Sequence, residues 1–278
     1  MNSNKLNDKV TLVLISHKSK KKIKKILKNI KNFENIIIVD NSNDKSLGYF
    51  KKKKIRFFFT KNKGYGAAIN YANKFVKTKY FLVMNPDIEN INYSLIKKIT
   101  YQSEKIKDNF LCTGPRYTGV KEKSHKQSNP KKKIAKIFAI NGACMLFNKK
   151  NFDLLNGFDE NFFLFYEEND ICKRGNYNKN FSYQLNTIKI KHKSGTSVDY
   201  SNDKERKKYE YIRNFNLVRS KIYYLRKHYG LFIMTLYCIF FSFRVIIKNI
   251  FYIILRKDKE FNKNLVRIKA LRSYITEI

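Results

Sequence analysis

The stretch Tyr80-Phe-Leu-Val-Met-Asn-Pro-Asp-Ile88 joins five apolar residues to an abrupt polar stop. A short, uninterrupted apolar run bounded by a turn reads as a strand buried on both faces, as in a parallel sheet. Pro86 lacks a backbone donor and ends the strand. Asn85 and Asp87 then project from its carboxyl end. A Pro-Asp pair is also a common turn, so by itself it marks only where a strand stops.

Runs of the same kind recur on either side. Val10 to Ile15 is apolar, and Lys18 to Lys31 follows with Ile23, Ile26, Leu27 and Ile30 at helical spacing. Ile36 to Val39 is a second buried strand, ending in Asp40-Asn-Ser-Asn-Asp44, and Ile55 to Phe59 is a third. Gly64 to Lys77 reads as a helix opened by a Gly-containing loop. Strands alternating with helices predict an α/β fold whose central sheet is mostly parallel and flanked by helices. In such sheets ligands bind at the carboxyl ends of the strands. Ser16 and His17, Asp40 and Asn41, Asn62, and Asn85 with Asp87 all fall there. Beyond them, Gly119 to Lys133 is polar and basic and reads as a mobile loop. Ile134 to Phe147 is apolar again. Glu167 to about Gly175 reads as a helix, and Phe181 to Lys191 as a strand ending at His192.

From about Asp203 the chain turns helical, so one α/β domain (1–202) is expected, with a C-terminal helical appendage (203–278). Within the appendage, Leu231 to Leu255 is strongly apolar, but Arg244, Lys248 and Asn249 interrupt it. The unbroken part, Leu231 to Phe243, is short for a membrane span. Arg244 and Lys248, four apart on one helix face, predict an in-plane amphipathic helix whose cations meet anionic lipid head groups. A helix packed on the main domain would show the same sequence.

The net charge of +37, from 59 Lys and Arg against 22 Asp and Glu, raises a nucleic-acid partner as one reading. Abundant Lys, Asn, Ile, Phe and Tyr with scarce Gly, Pro and Trp is also what an AT-rich genome produces. The strand-end carboxylates would repel nucleic-acid phosphate, so no nucleic acid is expected as partner. With 43% apolar residues a core can be buried. Cys112, Cys144, Cys172 and Cys238 form no Cys-x-x-Cys pair, so neither a disulfide framework nor a zinc site is expected. Reduced thiols and an N-terminus without an apolar core predict a cytoplasmic protein, peripheral at the inner face of the membrane.

Several side chains could carry chemistry. A hard divalent cation needs only one or two protein carboxylates beside phosphate oxygens, so Asp87 is sufficient as an anchor. Asp40 could accept from the N3–H of a uracil or thymine ring, or could close an Asx turn with Ser42. Asn62, Gly64, Gly66 and Asn70 form a loop into a helix whose amides attract phosphate. Glu167, Glu168 and Asp170 form an acidic cluster. Burial can raise one such carboxyl and make it a usable base, whereas the bland reading is an acidic helix N-terminus.

Six segments in order resemble glycosyltransferase family 2, in its rhamnosyltransferase-like branch. They are Val39-Asp-Asn-Ser42, Asn62 to Asn70, Phe81 to Ile88, Asn141-Gly-Ala-Cys-Met-Leu-Phe147, Gly157-Phe-Asp-Glu-Asn-Phe-Phe163 with Glu167 to Arg174, and His192-Lys-Ser-Gly-Thr-Ser197. Together they cover about residues 9 to 200. The resemblance implies a GT-A fold and a metal-dependent, inverting hexosyltransferase. It also implies a nucleotide-diphosphate sugar donor (dTDP- or UDP-linked) and Mg2+ or Mn2+ as cofactor. Asp40 becomes the base-recognition residue, supported by Ser16, Asn41, Asn62, Gly64, Asn70 and Asn85. Asp87 and His192 become the metal site, and neutral imidazole suits manganese better than magnesium. The family's base is the Asp of a Glu-Asp pair. Here Glu168 stands in that position, one methylene longer, with Glu167, Asp170 and Asp159 binding the acceptor or supporting the site. His17 departs from the small polar or aromatic residues common after the family's first strand. The expected acceptor is a glycan or a polyprenyl-linked sugar in cell-surface polysaccharide synthesis. The Glu at 168 also admits a catalytically inactive homologue that only binds glycan or scaffolds an assembly.

Overall fold

The structure is a computed structural model that describes residues 6–42, 47, 55–118, 127–193 and 195–276. Asn43 and Asp44 of the turn after the second strand, residues 119–126 of the expected loop, and Ser194 of the His192 segment lie outside the described residues. The chain divides into two compact units. One comprises 1–160 with 168–199, the other 161–167 with 200–278.

The first unit is built on an eight-stranded sheet in the order β3-β2-β1-β4-β7-β5-β8-β6. Its strands are β1 (Val10–Ser16), β2 (Ile36–Asp40), β3 (Ile55–Phe59), β4 (Tyr80–Met84), β5 (Phe110–Thr118), β6 (Ile134–Ile137), β7 (Cys144–Asn148) and β8 (Phe181–Lys191). From β3 to β4 every pairing is parallel. Beyond β4 the sheet is mixed: β7 runs antiparallel to both β4 and β5, β8 is parallel to β5, and β6 is antiparallel to β8. The expected α/β sheet is thus parallel in its first half and mixed beyond it.

Alternation along each central strand feeds two cores. Leu12, Leu14, Ile36, Ile38, Leu82 and Met84 point to one face, and Val13, Ile15, Ile37, Val39, Phe81 and Val83 to the other. Helix α1 (Lys20–Asn29) covers the first face through Ile23 and Ile26, with α3 (Tyr93–Glu104) beside it through Ile96 and Ile99. Helix α2 (Tyr65–Asn73) covers the second through Ala68, Ile69 and Ala72, joined by Phe152 of α4 (Lys149–Leu154) and Ile171 of α5 (Glu167–Tyr177). Both faces being covered explains why these strands are apolar throughout.

α3 and β5 are not foreshadowed by the sequence pattern. β5 contains Gly114-Pro115, ordinarily turn residues. Gly114 is required because a Cβ there would stand 2.6 Å from Ile140 Cγ2 and 2.9 Å from the Cys144 carbonyl oxygen. A register shift between Pro115 and Arg116 absorbs the proline. Residues 127–133, expected to be mobile, are pinned instead. The Ser128 amide and hydroxyl donate to Gln184 Oε1, and Asn186 Nδ2 donates to the Asn129 and Lys132 carbonyls.

The second unit contains α6 (Asp203–Ile254), capped by Asn202 accepting from the Glu205 amide, and α7 (Asp258–Thr276). α6 is two helices meeting at Gly230, where φ is 81° and ψ 176°. Val218, Ile222, Met234, Cys238, Ala270, Leu271 and Tyr274 form its core.

Candidate active site

The parallel half of the sheet delivers its strand ends to one edge. Ser16 and Asp40 are paired across β1 and β2, and the Asn41 amide donates to the Ser16 carbonyl at 3.0 Å. Asp40 is 2% exposed, and its Oδ1 accepts from the Ser42 amide at 2.9 Å and from the Ser42 hydroxyl. The Asx turn open in the sequence is therefore formed, and it fixes the carboxylate at the strand end. Ser16 Oγ is buried with no hydrogen-bond partner among the described residues. A buried hydroxyl at a strand end with no protein partner is free to meet a ligand's polar atom.

A side-chain chain then links three elements. His17 Nδ1 lies 2.7 Å from Asn41 Oδ1, Asn41 Nδ2 donates to Asn62 Oδ1 at 3.3 Å, and the Gly64 amide donates to the same oxygen at 3.1 Å. Asn41 must donate from its NH2 to Asn62, so its Oδ1 accepts, and His17 carries its proton on Nδ1. This chain orders the loop into α2, where Gly64 at φ 111° is the N-cap.

Tyr65 opens α2, and its hydroxyl lies 2.8 Å from both Asn85 Oδ1 and the Gly142 carbonyl oxygen. The Asn85 amide donates to the Ala143 carbonyl at 2.8 Å, and the Ala143 amide to Asn141 Oδ1 at 2.9 Å. The Asn141–Ala143 turn is thereby docked onto the end of β4. Glu168 faces this turn: a Cβ on Gly142 would sit 3.8 Å from Glu168 Cδ, 4.0 Å from its Oε2 and 3.9 Å from Tyr65 Cε1. Burial pushes the Glu168 carboxyl up to about 7, and its own backbone amide opposes this only in part. A carboxyl near 7 is poised to exchange a proton at neutral pH.

Asp87 and His192 are brought together although 105 residues apart, with Asp87 Oδ1 3.1 Å from His192 Nε2. Backbone bonds zip the two segments: Lys193 N donates to the Asp87 carbonyl, and Glu89 N to the Lys191 carbonyl. His192 Nδ1 is buried with no hydrogen-bond partner among the described residues. No group of three or more metal-ligating side chains occurs among the described residues. A carboxylate and an imidazole in contact would fit a cation that replaces the hydrogen bond between Asp87 and His192 Nε2 and takes its remaining ligands from a diphosphate and water; Nδ1 faces away from Asp87. A cavity of about 330 Å³ borders Asp87, lined also by Lys22, Lys25, Lys193 and Thr196. A larger one, about 710 Å³, lies between α3 and β8 and touches none of the site residues predicted from sequence.

Not every predicted residue reaches these strand ends. Both ends of the Asn70 amide are engaged with 157–160: Nδ2 donates to the Phe158 carbonyl and to Glu160, and Oδ1 accepts from the Phe158 amide. Asn70 thus latches α2 to the segment that follows Gly157. Asp170 is fully buried against Arg174 at 2.8 Å, and that guanidinium also donates to the Leu155 and Gly157 carbonyls. Asp170, on the same helix as Glu168, is thereby joined through Arg174 to the Leu155–Gly157 turn. Glu167 is 4% exposed and Asp159 half-buried.

Two contributors escaped sequence reasoning, and a third, His17, was placed at a strand end without a role. His17 is joined to Asn41, Tyr65 bridges Asn85 and Gly142, and the Tyr117 ring meets the His192 ring edge-on at 6.0 Å while its hydroxyl donates to the Asn141 carbonyl. Tyr65 could have been marked by its place at a helix start; Tyr117 lies within β5 and carried no such signal.

A profile of the family described as Glycosyl transferase family 2 matches residues 11–171. A curated relative, the low-salt glycan biosynthesis hexosyltransferase Agl10 of Haloferax volcanii, is 24% identical over 189 residues, covering 60% of this chain and 61% of its own. The match thus spans less than two thirds of that relative's length. Among solved structures, the mannosyltransferase PcManGT from Pyrobaculum calidifontis, in complex with GDP-Man and Mn2+, superposes with a TM-score of 0.58 at 11% identity, covering 96% of this chain and 87% of that one. TarS 1-349 of S. aureus, in complex with UDP-GlcNAc, gives 0.52 at 16% identity, covering 76% and 66%. At such identities the likeness establishes the fold.

Proposed function

The chain belongs to glycosyl transferase family 2, and from that premise we propose that it is an inverting hexosyltransferase acting on a nucleotide-diphosphate sugar. The single observation carrying the reading is Glu168. Its carboxyl is desolvated to a pKa of about 7 and faces the Gly142 turn, which Tyr65 and Asn85 dock onto the end of β4.

Asp40, fixed by Ser42, accepts from the donor's base, which favours a uracil or thymine nucleotide. Ser16, Asn41 and Asn62 contact the nucleoside or diphosphate, and Gly64 lets the backbone approach closely. Asp87 and His192 would hold Mg2+ or Mn2+, which when bound neutralises charge on the departing diphosphate. The Mn2+ in the PcManGT complex is in keeping with this. Glu168 takes the proton from an acceptor hydroxyl, whose oxygen attacks the anomeric carbon from the face opposite the leaving group. The transferred sugar is rhamnose or another hexose. The acceptor is a glycan, carried on a polyprenyl lipid, in cell-surface polysaccharide synthesis at the cytoplasmic side of a membrane.

The test is a thermal-shift panel of nucleotide sugars with and without Mn2+, followed by transfer of the best binder to a short-chain polyprenyl diphosphate sugar. A metal-dependent shift with one nucleotide class, and a product of inverted anomeric configuration by NMR, is the expected result. Binding without transfer or hydrolysis would favour the inactive-homologue reading, for which the Glu at 168 is the specific support. No shift with any nucleotide sugar overturns the donor assignment.

A further inference from the structure

Residues 231–254 form a discrete helix, separated from 203–229 by the non-helical backbone of Gly230. It is about 36 Å long at 1.5 Å per residue. Met234, Cys238 and Val245 lie on one side and are buried. Phe232, Leu236, Ile239, Phe243, Ile247 and Ile250, at three- and four-residue spacing, form an opposite stripe that is exposed throughout, and Phe240 beside it is 70% exposed. So large a contiguous apolar face marks an interaction surface.

The helix is long and apolar enough to cross a membrane by length and composition. Its companion argues against that placement. α7 lies antiparallel along it: Asn264 Nδ2 donates to Asn249 Oδ1 at 3.0 Å near one end, while Ala270, Leu271 and Tyr274 share a core with Met234 and Cys238 near the other. α7 carries Lys259, Lys263, Arg267, Lys269 and Arg272. A span would drag these cations into hydrocarbon, where charged side chains are costly. Lying flat leaves α7 on the water side. The charges around the apolar face complete the pattern. Exposed Arg226 and Lys227 precede it, exposed Arg256 and Lys257 follow it, Arg244 flanks it, and Tyr229 stands half-exposed at its head. Cations and an aromatic at the level of head groups suit an anionic surface.

We infer that the α6–α7 hairpin docks on an anionic phospholipid bilayer with residues 231–254 in the plane of the interface and α7 facing water. This stands apart from the transfer reaction and is tested separately. The full chain should float with phosphatidylcholine–phosphatidylglycerol vesicles, at least tenfold more tightly than with phosphatidylcholine alone, and be released by alkaline carbonate. Phe240→Glu with Phe243→Glu should abolish flotation. Arg256→Glu with Lys257→Glu should weaken it more than tenfold, at about fivefold per cation. Should the first pair disturb folding by circular dichroism, an environment-sensitive dye on Phe240→Cys decides the matter, blue-shifting only with vesicles. Absence of wild-type flotation, carbonate-resistant insertion, or a blue shift without lipid together with a doubled mass (a second copy on this face) would each overturn the inference. Thermal shift by a nucleotide sugar in the same samples keeps failure here distinct from failure of the transfer reading.

Discussion

Replacing Glu168 by Gln should make the protein more stable and less active at once. Burial moves the carboxyl from 4.5 to about 7. That gap of about 2.5 pH units, at about 1.36 kcal/mol each, is a cost of about 3.4 kcal/mol for ionising it in place. Glu168 is half-buried rather than enclosed, and solvent screening reduces this to about 2 kcal/mol. The folded state binds the proton more tightly than the unfolded state, so stability is highest below pH 4.5 and falls as pH rises toward 7. Above that, both states are ionised and the folded one bears the whole penalty. Gln has the same shape and no charge. Glu168→Gln should therefore gain about 2 kcal/mol over wild type at pH 8 and almost nothing near pH 4.5, read from urea unfolding midpoints. Turnover should drop by about 10²- to 10⁴-fold, the range for a lost general base. Wild-type kcat/KM should rise through about pH 7 as the carboxylate form is populated. Equal stability differences at pH 8 and pH 4.5 would refute the desolvation argument, and unchanged turnover would remove Glu168 from the base role.

Three other substitutions separate the remaining parts of the site. Asp87→Asn should cut activity by about 100-fold and abolish its dependence on added Mn2+, whereas full wild-type activity in a chelator would dispose of the cation. His17→Ala should raise the donor KM by about tenfold with kcat nearly unchanged, because the Asn41–Asn62–Gly64 chain loses its first member, and His17→Asn should recover part of the loss. A fall in kcat alone would contradict the positioning role. Gly157→Ala should destabilise by about 2 kcal/mol or more, since φ is +67° and the new Cβ would meet Asn70 Oδ1 at 2.5 Å. A neutral effect on the thermal midpoint would show that the Asn70 latch yields without cost.

Much of the first unit was legible because its strands are buried on both faces and are written as unbroken apolar runs. Ser16 and Asp40 follow such a run directly and Asp87 comes two residues after one, past Asn85 and Pro86, so local chain order alone put them at the strand ends. The start of α6 near Asp203 was legible as well, whereas its Asn202 cap was not singled out. β5 was not, because Gly114 and Pro115 carry turn chemistry, and only the approach of Ile140 and Cys144 makes a glycine necessary there.

What the sequence by itself determined, then, was the α/β alternation and which polar side chains stand at strand ends, since both depend on residues within a few positions of one another. The tertiary structure alone decided how those side chains are used. It joined His17 to Asn41, placed Tyr117 against His192, set Asp87 and His192 in contact across 105 residues, and diverted Asn70 to a latch. It also raised the Glu168 carboxyl, because desolvation comes from the whole shell of packed neighbours and has no counterpart in local sequence. Hydrogen-bond partners and burial are properties of distance in space, and a chain's order fixes that distance only after the sheet order is set.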